Sequence, residues 1–273
     1  MKKPSGSAPL TVCLERFSAH WAIIDRASST LKEYKRYLNQ LFTAIPTPTV
    51  LDAESWLAAE PSVSVRRMKG RAIRAIGKWL TKSGDTRLSW WVLIPLAKEI
   101  EKEQPTVTRA EYLEIRAIDL PSLVRLIVEL LWSTGVRRGE LAALLTKDVN
   151  LDNRTILVRK TKNDEPRYVP INDEAAVELE RHLQTHRGSL LIGQSSEAIR
   201  KLLRRWNLPS SHAWRRGWAV DSLTLGMNEV NVRTAGGWRS GAMVARYTKK
   251  HKQQVAMAQF RQLRSSTKRD DPA

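Results

Sequence analysis

The chain has 273 residues with 46 Lys and Arg against 28 Asp and Glu, a formal charge of +18 and a pI near 10.4. That length accommodates two modest domains, each burying a core, and the uncompensated positive charge favours a polyanion, nucleic acid ahead of an anionic membrane. The single cysteine, Cys13, excludes an internal disulfide, and the apolar run from Leu123 to Trp132 is broken by Arg125 and Glu129, well short of the ~20 residues a membrane span needs. The N-terminal stretch MKKPSGSAPLTVCLERF lacks the apolar run of a signal peptide, so a cytoplasmic protein with no membrane contact is expected.

Residues 1–9 read as a flexible lead, and residues 10–92 as a helical domain of four segments. The first runs from Leu10 to Ile24. The second opens at Thr30, whose hydroxyl forms a capping box with Glu33, and sets Leu31, Tyr34, Leu38 and Leu41 on one stripe. A short third covers Leu51 to Ala59. The fourth, Val63 to Lys82, has an apolar face of Val65, Met68, Ile73, Ile76 and Leu80 and a basic stripe of Arg67, Arg71, Arg74 and Lys78. Charged stripes usually face solvent, but no acidic residue occurs between Pro61 and Gly84, which favours a helix laid along a phosphate backbone.

Residues 93–106 are charged, hold two prolines and show no amphipathic period, so they read as a linker. A second domain over 107–265 follows. Thr108 and Glu111 form a capping box opening a helix through Ile118. Pro121 suits the first turn of a central, mostly apolar helix to Trp132, which Gly135 ends, and another helix spans Arg138 to Leu145. Arg154–Arg159 and Arg167–Ile171 form a small antiparallel hairpin around residues 160–166. Helices return at Asp173–His186 and Ser195–Trp206. After Tyr247 a basic helix runs from Lys250 to Leu263, apolar at Val255, Met257, Ala258, Phe260 and Leu263, suiting burial in its own domain or against a neighbour. Residues 266–273 read as a disordered tail. His182 and His186, at i and i+4, have metal-ligand spacing but no Cys or carboxylate companions, so they read as helix surface and no metal is expected.

The stretch Ser210–Tyr247 concentrates the chemistry. His212 and Arg215 share a helix face, and Trp238 and Tyr247 follow nine residues apart behind Gly236-Gly237. An imidazole, a guanidinium, an indole N–H and a phenol can converge there on one phosphate. Ser210 or Ser211 can cap the first helix and Ser240 the one carrying Tyr247. Upstream lie Thr134-Gly135-Val136-Arg137 with Glu140, and Lys162 in the hairpin turn. In this order the set resembles the tyrosine recombinase (phage integrase) family: T-G-x-R-x-x-E, a hairpin lysine, H-x-x-R, a His or Trp, and a tyrosine nine residues later. The register of Arg167-Tyr-Val-Pro170 assigns the lysine to Lys162, with Lys160 as its neighbour. Each motif alone is weak, and the ordered set is specific. Arg216 departs from the pattern, because many relatives have a second histidine there.

Each residue type suits the chemistry. Attack by a phenol on a phosphodiester concentrates charge on the non-bridging oxygens, which the forks of Arg137 and Arg215 match. A tyrosine hydroxyl with an unperturbed pKa of ~10 needs a base, His212, and the leaving oxygen needs a proton, from Lys162. Trp238 donates a hydrogen bond but transfers no proton, and Glu140 orients Arg137. The resemblance implies a mainly α fold: an N-terminal helical core-binding (SAM-like) domain, then a mostly α catalytic domain with a small antiparallel β-hairpin sheet, in the simple Cre/Xer layout without an arm-binding domain. It further implies a 3′-phosphotyrosyl intermediate, no cofactor, double-stranded recombination sites bound by four protomers, and accessory DNA-bending proteins. Taken singly, Arg137–Glu140 could be a helix-start ion pair, Trp238 plain core, His212 a capping residue and Tyr247 a half-buried aromatic; all four holding together is improbable. A catalytically silent DNA-binding regulator and a type IB topoisomerase remain the alternatives. The first forms no covalent adduct, and the second relaxes supercoiled DNA lacking any recombination site.

Overall fold

The computed structural model describes residues 8–24, 28–98, 104–159, 165–249 and 251–267, with the backbone alone for 28 and 262–267. Lys160, Lys162, the start of the lead and the end of the tail lie outside the described residues. The chain divides into two compact units, residues 1–102 and 103–273.

The first unit contains helices α1 (Leu10–Ile23), α2 (Ser28–Ala44), α3 (Val50–Ala58) and α4 (Val63–Lys82). Leu14, Phe17, Leu38, Leu41, Ile73, Ile76 and Leu80 form its core. The α2 boundary differs from the sequence reading: Thr30 lies inside the helix, and the Glu33 carboxylate accepts from Arg36 at 2.7 Å. The capping box of this unit forms instead at α3, between Thr49 and Asp52.

The expected start of the linker also moves. Residues 89–93 form a 3₁₀ turn, and Ile94, only 1% exposed, belongs to the core. Glycines on α4 make room for this segment, since a Cβ on Gly77 would lie 2.4 Å from Trp91 Cβ and one on Gly70 3.1 Å from Leu96 Cδ2. A single 3₁₀ turn and the few residues after it are too short to show a period, so their burial leaves no trace in the pattern.

The second unit contains α5 (Arg109–Ala117), α6 (Ser122–Thr134), α7 (Arg138–Ala142), β1 (Val149–Asn150), β2 (Thr155–Val158), β3 (Arg167–Pro170), α8 (Asp173–Thr185), α9 (Ser196–Arg205), α10 (Ser211–Thr224), α11 (Glu229–Gly236), α12 (Gly241–Thr248) and α13 (Lys252–Thr267). The Thr108–Glu111 capping box starts α5 as expected. Central α6 packs against α8 and α10, with Tyr112 stacked on Trp132 at 4.5 Å and both edge-on to Trp214. The helix expected to reach Leu145 ends at Ala142, because the next residues pair with another segment: Leu191 N donates to Leu144 O at 2.8 Å and Leu145 bridges Leu190. The hairpin gains a third strand, giving an antiparallel sheet of order β1-β2-β3 with Ile156 opposite Val169. His182 and His186 differ from free helix surface: their rings stack at 4.5 Å and their Nε2 atoms bond Leu191 O and Leu190 O, each at 2.8 Å. A small second core joins Trp218, Val232, Trp238, Val244 and Val255, with Tyr247 packed against it.

The turn after α6 needs glycine twice over. Gly135 has φ +58°, and a Cβ there would sit 2.3 Å from the Trp218 ring. Gly135→Ala is therefore expected to lower stability by at least about 1–3 kcal/mol in denaturant unfolding, from overpacking alone. An unchanged midpoint would show that this turn is loose.

Candidate active site

Thr134 Oγ1 donates to Leu130 O at 2.6 Å and accepts from Val136 N at 3.3 Å, and the left-handed Gly135 then turns the chain to place Arg137 at the N-cap of α7. Arg137 donates from its backbone N to Glu140 Oε2 at 2.9 Å, from Nη1 to Oε1 at 2.7 Å, and from Nη2 to Gly237 O at 3.0 Å. Glu140 is 4% exposed. A second arginine, Arg167 on β3, donates from Nη2 to Glu140 Oε2 at 2.8 Å and from Nε to Ala235 O at 2.7 Å. Burial alone pushes the Glu140 carboxyl up, but hydrogen bonds from Arg167 and Arg137 outweigh it and hold the group below the usual carboxylate range.

Ser210 caps α10, accepting from Ala213 N at 3.3 Å, and the helix carries His212, Arg215 and Arg216. Arg215 is 1% exposed and donates to Gly135 O and Gly236 O, tying the α6–α7 turn to the end of α11. Burial, followed by repulsion from Arg137, lowers its pKa to about 9, so it remains cationic at neutral pH. Its guanidinium lies 4.2 Å from the Trp238 ring centroid, and that ring meets Tyr247 edge-on at 5.4 Å. Among the described residues, neither the Trp238 indole N–H nor the Tyr247 hydroxyl has a hydrogen-bond partner. His212 is exposed; partial burial of its ring, followed by the charges of Arg216, Arg215, Arg138 and Arg137, pushes its pKa below the ordinary imidazole value. A neutral imidazole at pH 7 can accept a proton.

The structure thus brings Arg137, Glu140, Arg215, Trp238 and Tyr247 together within one unit, with His212 on the same helix as Arg215. Lys162 and Lys160 lie outside the described residues. Ser240 holds the N-cap position of α12 but makes no side-chain cap bond, in contrast to the expectation. Arg167 went unrecognised as a site residue, although a signal was present. It shares a strand face with Val169, which is fully buried, so the period of two points it inward. Gly237, the second of the two glycines before Trp238, is left-handed at φ +62°, and a Cβ there would lie 2.8 Å from Arg167 Nη1.

The basic stripe of α4 divides. Arg71 and Lys78 are exposed, whereas Arg74 is half-buried 5.8 Å from the Trp91 ring centroid. Arg67 differs most from the expectation of a phosphate-facing group, because its Nη1 donates to Ala97 O at 2.6 Å. Among the described residues there is no group of three potential metal ligands and no helix long and apolar enough to cross a membrane.

A mainly helical chain with a small antiparallel sheet, gathering cations around a tyrosine, has the architecture of the integrases and recombinases. The family model for the phage integrase family matches residues 109–254, and the chain belongs to that family. It is 26% identical over 183 residues to tyrosine recombinase XerA of Pyrococcus horikoshii, covering 64% of this chain and 61% of that relative. The chain spans about half to three fifths of the length of the first curated relatives it matches. The fold resembles a lambda integrase dimer bound to a COC′ core site, with TM-score 0.75 and 18% identity over 89% of this chain and 77% of that one. It also resembles a lambda integrase tetramer bound to a Holliday junction, with TM-score 0.70 and 18% identity over 86% and 79% of the two chains.

Proposed function

We propose that the chain is a site-specific DNA recombinase that cleaves and rejoins strands through a 3′-phosphotyrosyl intermediate, acting on DNA in the cytoplasm. Residues 107–265 serve as the catalytic domain and residues 10–92 as a core-binding domain. The observation that carries this reading is the Trp238 ring, which has the Arg215 guanidinium on its face and the Tyr247 ring edge-on. Family membership supports it. Tyr247 Oη attacks phosphorus and gives its proton to His212; the new O–P bond forms as the P–O5′ bond breaks, and Lys162 protonates the departing 5′ oxygen. Arg137 and Arg215 hold the non-bridging oxygens, and the Trp238 N–H adds one donor. The phosphotyrosyl ester conserves the bond for attack by an incoming 5′ hydroxyl, so rejoining needs no nucleotide cofactor. Strand exchange uses four protomers on paired duplex sites, an arrangement supported by the similar lambda integrase tetramer, and accessory DNA-bending proteins belong to the same expectation.

Incubating the protein with a pool of nicked duplexes of randomised sequence tests this. The nick lets the short cleaved strand diffuse away, so covalent adducts resistant to denaturant accumulate and their sequences report the preferred site. A protein that binds and shifts the pool but yields no adduct through repeated rounds would instead be a regulator. Binding itself should be salt-dependent. Neutralising exposed Arg71 and Lys78 is expected to weaken affinity across sequences and reduce the slope of log K against log salt by about 0.9 per lost phosphate contact. An unchanged slope would place that stripe in solvent.

A further inference from the structure

Arg216 follows Arg215 on α10 and is 8% exposed, yet it has no carboxylate partner among the described residues. Its compensation is neutral. Nε donates to Pro105 O at 2.9 Å and Nη2 to Gln104 Oε1 at 3.4 Å, while the guanidinium carbon lies 5.9 Å from the Tyr247 ring centroid. Burying a cation costs desolvation that a neighbouring negative charge offsets, even one that appears only transiently. The group beside it that acquires such a charge is the phenol.

We propose that Arg216 is a positioning residue for Tyr247, seating the ring against its guanidinium and favouring the negative charge the hydroxyl gains as its proton leaves. The inference rests on the proposed cleavage reaction and goes beyond it, because Arg216 need not touch DNA. Among the described residues, two neutral oxygens fix the guanidinium without quenching its charge, as a carboxylate would, and the backbone near them is anchored by Val107 N donating to Ala213 O at 3.2 Å. The same cation acts on the base. The charges facing His212 are those of Arg216, Arg215, Arg138 and Arg137, with Arg216 the largest contributor among them. It therefore favours phenolate and keeps the His212 imidazole neutral before attack; because it also opposes the imidazolium that forms, the net gain comes from the phenolate side.

The test is the single-turnover rate of adduct formation on a nicked duplex recovered from the randomised pool, measured against pH for wild type, Arg216→Gln and Arg216→Lys, with melting and DNA affinity followed in parallel. Arg216→Gln should bind DNA as wild type does and form adduct about tenfold to a hundredfold more slowly. Its acid limb should move to higher pH as His212 returns toward the ordinary imidazole value. Arg216→Lys keeps the charge and should recover most of the rate and the wild-type limb. A folded Arg216→Gln that reacts at the wild-type rate overturns the proposal, as does a folded Arg216→Lys as slow as Arg216→Gln. Should Arg216→Gln fail to fold, a folded Arg216→Lys decides alone, a slow rate or displaced limb overturning the proposal. Absence of adduct from wild type itself would instead overturn the cleavage reaction on which the inference rests.

Discussion

Tyr247→Phe is expected to abolish covalent capture of DNA while leaving the protein folded and able to bind DNA. The substitution removes one oxygen, and among the described residues that oxygen makes no hydrogen bond. The ring contacts that hold the side chain, edge-on to Trp238 and beside Arg216, do not involve the hydroxyl. Melting temperature and DNA affinity should stay at wild-type values as adduct formation falls by about 10³-fold or more, the scale of nucleophile loss. A drop in adduct accompanied by an equal drop in affinity would mean that Tyr247 binds rather than reacts.

Glu140→Ala should lower stability by about 3–5 kcal/mol in denaturant unfolding. Glu140 is buried between two guanidinium groups, and its removal leaves Arg137 and Arg167 facing each other without a counter-ion. Its carboxyl is held below the usual range in the folded state and returns to about 4.5 when unfolded. The stabilisation is thus fully present above the unfolded pKa and is lost as pH falls through the folded one. In Glu140→Ala this contribution to acid unfolding disappears. A loss under 1 kcal/mol at neutral pH would show that the two arginines find other partners and that the carboxylate does not organise the site.

Local rules made part of this molecule readable in advance. The Thr108–Glu111 capping box, the left-handed stop at Gly135 and the full extent of α4 follow from residue types and spacing, and the structure contains each of them. The motif order from Arg137 to Tyr247 indicated the family before any coordinates. Features made by tertiary contact stayed hidden. Ile94 is core because Gly70 and Gly77 admit the 3₁₀ turn and the residues after it against α4, and two glycines in a helix do not announce what will lie on them. The two-residue β1 is too short for a pattern. Helical spacing alone puts Arg67 in a charged stripe, and its hydrogen bond to Ala97 depends on where a neighbouring segment runs. Arg167 is the instructive omission. Alternation with Val169 indicates its direction, but only the long-range approach of α7 supplies the carboxylate that gives it a role.

Digesting the trapped protein–DNA adduct with trypsin and nuclease, then weighing the peptides, tests the central claim most directly. Cleavage after Arg246 and Lys249 releases the tripeptide Tyr247-Thr248-Lys249, and the nucleotide mass is predicted on it, attached through the tyrosine oxygen. Nucleotide mass on any other peptide, with Tyr247-Thr248-Lys249 recovered unmodified, would contradict it.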